Sequence, residues 1–353
     1  MKGKYTLPLF LIIQIIALRI IALFPELVER FYSNGWYIFI SRTSRIILGK
    51  VPFSVGDVIY MILTTLLLYN IWKTKKSWNL NWKEYVLKIT SYISVTYLLF
   101  HLLWGLNYYR MPLFEKMNIS RDYTEKDLHI FTEKLIVKTN HIQFQIEHNK
   151  NKKVINPYSQ EMIFSKSQDG YNQLAKEYPF FKYEISSKKK SLMSIPLTYM
   201  GFAGYLNPFT NEAQVNTKLP MVSFPNVMCH EMAHQIGYAS ESECNFIGFL
   251  AGIKNQDLYI QYSAYLNALR YCMTTIGIKN KALFRVLKKK INRGILENYK
   301  ENDRFWNQYD TFIDKGFHAI YDQYLKMNQQ KDGMESYSKF VNLMVIYYKD
   351  KKI

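Results

Sequence analysis

Apolar residues crowd the first 107 positions of the chain, where three long runs cover residues 7–24, 54–72 and 86–106. Each run is close to the ~20 apolar residues that a helix needs to cross the hydrocarbon core of a bilayer. The pattern predicts a membrane domain over residues 1–107 with three transmembrane helices. Because the first run lacks a small-residue cleavage site and further runs follow it, we interpret it as an anchor rather than a signal peptide.

Lysines flank these runs unevenly and so predict an orientation. Those nearest the ends of the runs are Lys2, Lys4, Lys73, Lys75, Lys76 and Lys83. All of them lie on one side of the bilayer if the chain crosses three times, and short basic segments favour the cytoplasmic side. We therefore expect a multi-pass protein of the cell membrane, with everything after residue 107 in the extracytoplasmic space.

Two charged residues, Arg19 and Asp57, lie inside the first two predicted spans, near the same end of each. At about 1.5 Å of rise per residue, their depths in the bilayer are similar. Charges in membranes are rarely left alone, so the sequence predicts that these two residues pair or share a polar network. The alternative is that each side chain reaches the aqueous interface separately.

The remaining features of this half also favour a lipid surface. Residues 31–48 mix aromatic, aliphatic and arginine side chains, which predicts an amphipathic helix lying in the membrane interface. The formal net charge of the whole chain is +18. No nucleic-acid-binding motif accompanies this charge, so we expect the lipid bilayer as a partner and no nucleic acid.

Residues 108–353 are long enough to form a separate core and read as mostly helical. Thr124 is a capping candidate for a long helix over 124–148, residues 150–157 form a polar linker, and 168–178 suggest a short helix. Residues 191–216 carry the only clear strand and turn pattern. Further helices are predicted over 225–237, 240–253, 256–276, 280–299, 302–327 and 335–349.

The segment HEMAH carries the chemistry. His230 and His234 are four residues apart and therefore share one face of a helix, where two imidazoles can bind one metal ion. Glu231 lies beside them and can accept the proton of a zinc-activated water. Pro225 and Gly237 bracket one short helix around the motif. The alternative interpretation is two core or surface histidines with a solvated glutamate.

A catalytic zinc usually has three protein ligands and one open position, so a third ligand must follow. Ser240 and Glu243 have the form of a capping box, which gives Glu243 a structural role and leaves Glu241 free. Asn245 is placed one turn ahead of Glu241 and can hydrogen-bond and orient a ligating carboxylate. We therefore predict Glu241 as the third ligand, with Glu243 as the alternative and Asp257 as a more distant one.

Substrate contacts are less sharply indicated. Residues 204–216 could hold an extended peptide along a strand edge beside the metal, or could be a scaffold hairpin. Side chains that could stabilise a developing oxyanion are Tyr205, Tyr262, Tyr265, Tyr337 and His318.

Six segments together are similar to one known family: PFSVGD (52–57), WGLNYYR (104–110), MGFAGYLNPFTNEAQVN (200–216), CHEMAHQIGYASESECNF (229–246), YSAY (262–265) and YDQYLK (321–326). The chain resembles domain-of-unknown-function family 3810, bacterial membrane proteins with a zincin-like HExxH domain. The resemblance implies zincin roles for His230, Glu231 and His234. It also likens the helix after them to that of gluzincins, in which the first Glu ligates zinc, although the spacing here is much shorter.

Taken together, the residues and the resemblance predict a mainly α membrane protein. Three N-terminal transmembrane helices over 1–107 would precede a mostly helical, zincin-like catalytic domain with a small β-sheet over 108–353. We expect a zinc-dependent metallopeptidase that acts on a peptide or protein substrate. The alternative is a membrane-anchored binding or scaffold protein that keeps the zincin fold without turnover.

Overall fold

A computed structural model of the chain describes residues 2–75, 78–119, 122–328, 330 and 337–353, which are mostly helical. A π-helical segment, Val28–Trp36, joins the second helix to the third. In chain order the α-helices are α1 (Thr6–Ile21), α2 (Pro25–Leu27), α3 (Tyr37–Leu48), α4 (Val55–Thr74), α5 (Trp78–Leu103), α6 (Leu113–Lys116), α7 (Glu125–Glu147), α8 (Gln160–Glu177), α9 (Ser194–Tyr199), α10 (Phe224–Gln235), α11 (Glu241–Lys254), α12 (Leu258–Lys279), α13 (Lys281–Lys288), α14 (Arg293–Asn307), α15 (Phe312–Met327) and α16 (Tyr337–Tyr347).

A three-stranded sheet lies against α10. Its strands are β1 (Lys188–Lys190), β2 (Gly204–Asn207) and β3 (Glu212–Val215), in the order β1-β3-β2. β3 runs parallel to β1 and antiparallel to β2. The predicted strand region therefore contains β2 and β3, but β1 precedes it, and the short helix α9 occupies part of it. Lys189 makes β1 unusual, because its ammonium is buried and donates to the carbonyl of Leu48 at the end of α3.

Two helices are long and apolar enough to cross a membrane, α4 and the Asn81–Leu103 part of α5. α1 reaches that standard only together with Pro25–Leu48, to which it is bent by 99°. The structure thus contains two or three apolar helices of the predicted kind. α1 packs against α5, where Gln14 Nε2 donates to Ser94 Oγ over 2.9 Å. This buried amide explains how a polar residue is accommodated in an apolar run, since buried polar groups need partners.

α3 confirms that the amphipathic segment is helical. Its inner face carries Tyr37, Ser41 and Arg45, which are buried against the domain formed by the rest of the chain. Its outer face leaves Phe39 63% and Ile47 64% exposed. An apolar face that no protein covers is typical of a helix lying on lipid. The interfacial position remains a prediction.

The predicted pairing of Arg19 with Asp57 is wrong. The Asp57 carboxylate turns toward the sheet, where Ser191 Oγ donates to it over 2.9 Å and the backbone N–H of Leu192 over 2.7 Å. The Tyr205 hydroxyl donates to its other oxygen. The hydrogen-bonding capacity of the Asp57 carboxylate is therefore met by residues of β2 and of the loop after β1. This is possible because Asp57 lies in the first turn of α4, next to those residues.

The first turn of α4 is also capped from the sheet. The Glu212 carboxylate on β3 accepts hydrogen bonds from the backbone N–H groups of Val55 and Gly56, over 3.1 and 2.6 Å. A carboxylate at a helix N-terminus satisfies otherwise unpaired donors and complements the helix dipole. A Cβ on Gly56 would lie 2.3 Å from Asn207 Nδ2, so only glycine permits this approach.

Two segments near the C-terminus, each predicted to form one helix, are interrupted in the structure. The segment 280–299 breaks between α13 and α14 at Asn292, whose side chain donates to Gln143 on α7 rather than continuing a helix. The segment 302–327 breaks before Thr311, whose hydroxyl caps α15 by accepting from Ile313 N–H. Asn and Thr compete with helical backbone bonding in this way, so tertiary and capping contacts decided both breaks.

A buried ion pair joins the segment after α1 to the rest of the molecule. Arg110 binds Glu29 through two hydrogen bonds of 2.8 Å, and Lys116 Nζ lies 2.6 Å from the same carboxylate. Burial opposes ionisation of Glu29, but hydrogen bonds and charge interactions with these two cations lower its pKa from 4.5 to about 2. Such a pair is costly to break, because it leaves buried cations without a counter-charge.

We expect Glu29→Gln to lower the free energy of unfolding at pH 7 by about 3 kcal/mol. Because the folded-state pKa is depressed, the carboxylate contributes fully above about pH 4.5 and loses its contribution as the pH falls through about 2. Thermal unfolding in detergent at pH 7 and pH 3 would show the gap between wild type and variant narrowing at the lower pH. Glu301→Gln, at an exposed pair with Lys153, is the matched control and should change little. A gap that does not depend on pH would contradict the assignment.

Candidate metal centre

The HEMAH segment lies on α10, which is buried between the sheet and α11. Pro225 occupies the first turn of the helix, and the chain leaves it at Gln235. Gly237 then adopts φ +93°, a conformation that favours glycine. A Cβ there would lie 2.8 Å from the Tyr37 ring, so space as well as conformation requires glycine. Pro225 and Gly237 thus bracket one short helix as predicted, and the chain turns sharply at Gly237 into α11.

This turn brings three ligand atoms together. His230 Nε2 lies 3.1 Å from His234 Nε2 and 3.2 Å from Glu241 Oε2, and His234 Nε2 lies 3.6 Å from Glu241 Oε1. Nitrogen and oxygen ligands of tetrahedral zinc, at about 2.0–2.1 Å from the metal, lie about 3.3 Å from one another. Within the described chain, these three residues form the one group with spacing suited to a metal ion. Their mutual distances fit a single zinc ion.

The outer ring nitrogens of both histidines are held by oxygen atoms. His230 Nδ1 lies 3.0 Å from Asn245 Oδ1, and His234 Nδ1 lies 2.8 Å from the carbonyl oxygen of Tyr238. Because both oxygens are acceptors, they favour the tautomer in which each Nδ1 carries the proton and each Nε2 can offer a lone pair to a metal ion. Two lone pairs and a carboxylate would repel one another without a cation between them. The sequence predicted that Asn245 orients a ligating carboxylate, whereas its side chain holds the imidazole of His230 instead.

Glu241 and Glu243 have different environments. Glu241 faces the two histidines, with its carboxylate oxygens 3.2 Å from His230 Nε2 and 3.6 Å from His234 Nε2. Glu243 points away, and its Oε1 accepts from the backbone N–H of Leu113 over 2.7 Å. The predicted capping box is wrong, since the Ser240 hydroxyl contacts Ser242 Oγ and makes no capping bond. Glu243 has a structural role all the same, because it fixes the start of α6.

A tyrosine that the sequence analysis did not nominate completes the group. Tyr321 on α15 donates a hydrogen bond of 2.6 Å to Glu241 Oε1. Its ring stacks on that of Tyr324, one turn farther along α15, whose hydroxyl accepts from Tyr108. The signal was present in the segment YDQYLK, which places two tyrosines on one helix face. Nothing in that segment says that the face meets Glu241, so only the tertiary structure identifies it.

Glu231 projects from α10 toward the beginning of β2. The residue is 3% exposed, and its Oε2 is buried without a hydrogen-bond partner among the described residues. Burial raises the pKa of this carboxyl to about 7, against the nearby histidines, which lower it. A Cβ on Gly204 would lie 2.7 Å from Glu231 Oε1. Gly204 therefore leaves the space that the carboxylate occupies.

Most of the residues predicted to stabilise an oxyanion bind or pack against other residues instead. Tyr262 donates to Asn298 over 2.9 Å, Tyr205 is bound to Asp57, and Tyr265 packs against Phe249 in the core. His318 pairs with Asp314 over 2.9 Å, one turn before Tyr321 on α15. The side chain of Tyr337 lies outside the described residues.

Asp257, the most distant ligand candidate, caps α12 instead. Its side chain accepts the backbone N–H groups of Tyr259 and Ile260. The hydroxyl of Tyr158 and the ammonium of Lys166 bind its other oxygen. These bonds account for both carboxylate oxygens, so the structure gives Asp257 a structural role.

Comparison with known proteins identifies a family and no activity. The model of the family described as "Protein of unknown function (DUF3810)" matches residues 32–345. No curated protein and no solved structure matches the chain. The match spans α3, α4, α5 and every residue of the group around Glu241.

The arrangement predicts which carboxylate holds a metal. We expect Glu241→Gln to weaken zinc binding at least about 100-fold, because even loss of an outer hydrogen-bond partner weakens metal sites by about 10–100-fold. Glu243→Gln should keep full zinc content, since its amide oxygen can still accept from Leu113 N–H. Tyr321→Phe should lie between the two. Elemental analysis and competition with a chromogenic chelator measure all three. Retained zinc in Glu241→Gln with loss in Glu243→Gln would reverse the assignment.

Proposed function

The chain belongs to the DUF3810 family, and from its site we propose that it is a membrane-anchored, zinc-dependent metallohydrolase that cuts peptide bonds. One observation carries the proposal. His230, His234 and Glu241 converge at distances that suit zinc. On α10, the helix of the two histidines, Glu231 has a buried carboxylate oxygen without a hydrogen-bond partner among the described residues. A purely structural zinc site is closed by four protein ligands and has no use for a buried, unpartnered carboxylate beside it.

Zinc would be held by His230, His234 and Glu241, and it would supply a Lewis acid that polarises the scissile carbonyl and acidifies water. The chain's own residues do the rest. Glu231 takes a proton from the attacking water and later delivers it to the leaving amine. Asn245 and the Tyr238 carbonyl hold the imidazoles in the tautomer that binds metal. Tyr321 positions the carboxylate of Glu241.

The edge of the sheet supports a peptide as the substrate. Within the described residues, β2 pairs with β3 on one side and with no strand on the other. Asn216 N–H donates to the Ala203 carbonyl, so the alternation of an antiparallel ladder turns the backbone groups of Gly204 and Leu206 outward. Those groups can bind an extended peptide by strand addition. Gly204 also lies against Glu231, which places that edge beside the reacting groups.

We place the catalytic part on the extracytoplasmic side. The proposal takes α1 as a third membrane crossing, in addition to α4 and α5, and lays the segment Pro25–Leu48, to which α1 is bent, along the outer interface. The lysine-rich ends of α1 and α4 then face the cytoplasm. The exposed apolar face of α3 lies on the outer surface, and everything after α5 lies above it.

Loss of the general base is the first test of activity. We expect Glu231→Gln to lower peptide hydrolysis by about 10²–10⁴-fold while zinc content stays at the wild-type level. The measurement is mass-spectrometric detection of cleavage in a peptide library by purified, zinc-loaded protein. Glu301→Gln, far from the site on the surface, is the control. Wild-type protein that binds zinc and cuts no peptide would instead support the scaffold alternative.

Gly204 offers an independent test of the site's geometry. Gly204→Ala introduces a Cβ 2.7 Å from both Glu231 Oε1 and the Gln214 carbonyl. We expect at least a tenfold loss of hydrolysis with zinc retained, because displacement of a catalytic group by about 1 Å can cost about 100-fold. Gly316→Ala is the matched control, since a Cβ at Gly316 meets nothing within 4 Å. Equal activity of the two variants would show that Glu231 is not confined as described.

A further inference from the structure

The metal centre is tied to the end of a membrane-spanning candidate. Trp104 is the first residue after α5, and its indole Nε1 donates to the His234 carbonyl over 3.3 Å. The Trp104 ring also meets the His234 ring edge to face, with centroids 6.0 Å apart. A single side chain therefore bridges the end of α5 and a metal-ligand residue. The centre lies within about 15 Å of that helix end, which is less than three helical turns.

A second tie runs through the amphipathic helix α3. The Tyr37 hydroxyl donates to the carbonyl of Gln235, the residue after His234, over 2.9 Å. Asn211, in the turn between β2 and β3, donates to the same hydroxyl over 2.7 Å. The opposite face of α3 exposes Phe39 and Ile47. The helix that carries two of the three candidate ligands is thus one helix thickness, about 10 Å, from the exposed apolar face of α3.

A third tie follows β2 itself. At one end, Gly204 lies against Glu231, and at the other, Asn207 contacts Gly56 in the first turn of α4. Between them, Tyr205 donates to Asp57. Four residues of strand span about 13 Å at most. A peptide bound along this strand therefore extends from the reacting carboxylate to the foot of a membrane-spanning candidate.

With α4 and α5 as membrane crossings and α3 on the lipid surface, as proposed above, all three contacts put the centre close above that surface. We propose that the substrate is a polypeptide anchored in the same bilayer and cut within about ten residues of its membrane anchor, an inference that rests on the proposed peptidase function. In this cut, water adds across the peptide bond, its hydroxyl goes to the carbonyl carbon, and its proton goes to the leaving amine. The recognised features are an extended backbone and a membrane anchor, which can be a transmembrane helix or a lipid chain.

The distance of the centre from the lipid surface determines where along an anchored tail it cuts most often. A flexible tail of n residues reaches about 5–6 Å × √n from its anchor, so a centre about 15 Å above the lipid meets a tail best at about residue 7. A centre about 40 Å above the lipid would meet it best near residue 50. Because effective concentration falls steeply with tail length, cutting near the anchor should exceed cutting far from it by roughly tenfold.

The experiment uses the full-length, zinc-loaded protein in vesicles of phosphatidylethanolamine and phosphatidylglycerol. The probe is a pool of polypeptides, each with one apolar 21-residue helix, about the length that spans a bilayer, followed by a tail of about 60 randomised residues, long enough to reach about 40 Å. A second pool carries a palmitoyl chain in place of the helix, and a third has no anchor. Mass spectrometry maps the cut positions, and Glu231→Gln protein defines the background.

We expect Glu231-dependent cuts to concentrate within about ten residues of the anchor in both anchored pools, at roughly ten times the frequency found at the tail's far end. The unanchored pool controls for sequence preference and should show no such gradient. Cuts spread evenly along anchored tails, or peaking beyond about residue 40, would overturn the inference and leave the peptidase function standing. Stoichiometric zinc without Glu231-dependent cuts in any pool would overturn the proposed function and this inference with it.

Discussion

The turn after His234 is the constraint on which the site depends. A helix can present two imidazoles by itself, but the third ligand comes from the next helix and must be returned within a few residues. Gly237 makes that return possible through its positive φ, and the Arg110 guanidinium holds the turn by donating to the Gly237 carbonyl over 2.7 Å. Arg110 is itself fixed by Glu29, which belongs to the segment that follows α1. The metal group is therefore positioned by contacts that begin in the membrane-associated half.

The same dependence explains what sequence reasoning could reach. Helical spacing alone places His230 and His234 together, and a predicted capping box of Ser240 with Glu243 left Glu241 as the preferred third ligand. The choice agrees with the geometry, although the capping box that motivated it does not form. Glu243 points away from the histidines because its carboxylate accepts a hydrogen bond from the backbone N–H of Leu113, which is distant in sequence. Local patterns can identify which residues compete for a position, but a tertiary contact decides between them.

Residues at the boundary between the two halves were the least predictable. Asp57 was interpreted as a membrane charge because it begins an apolar run, yet its partners lie on the loop before α9 and on β2. Tyr321 carried no individual signal among so many tyrosines, and its role follows only from the packing of α15 over Glu241. In both cases the decisive neighbour is more than 75 positions away in the chain. Periodicity predicted most elements of this fold, whereas the contacts among them required coordinates.

The contact between α3 and α10 has a practical consequence for anyone who wishes to study residues 108–353 by themselves. A fragment beginning at residue 108 would lose Tyr37, Ser41 and Trp104, and with them three hydrogen bonds to the backbone of His234 and Gln235. It would also leave the buried Arg110 without Glu29. Residues before 108 thus help to position the site, and the rest of the chain depends on their contacts. A soluble truncation that has lost activity would accordingly reveal nothing about the chemistry of the intact chain.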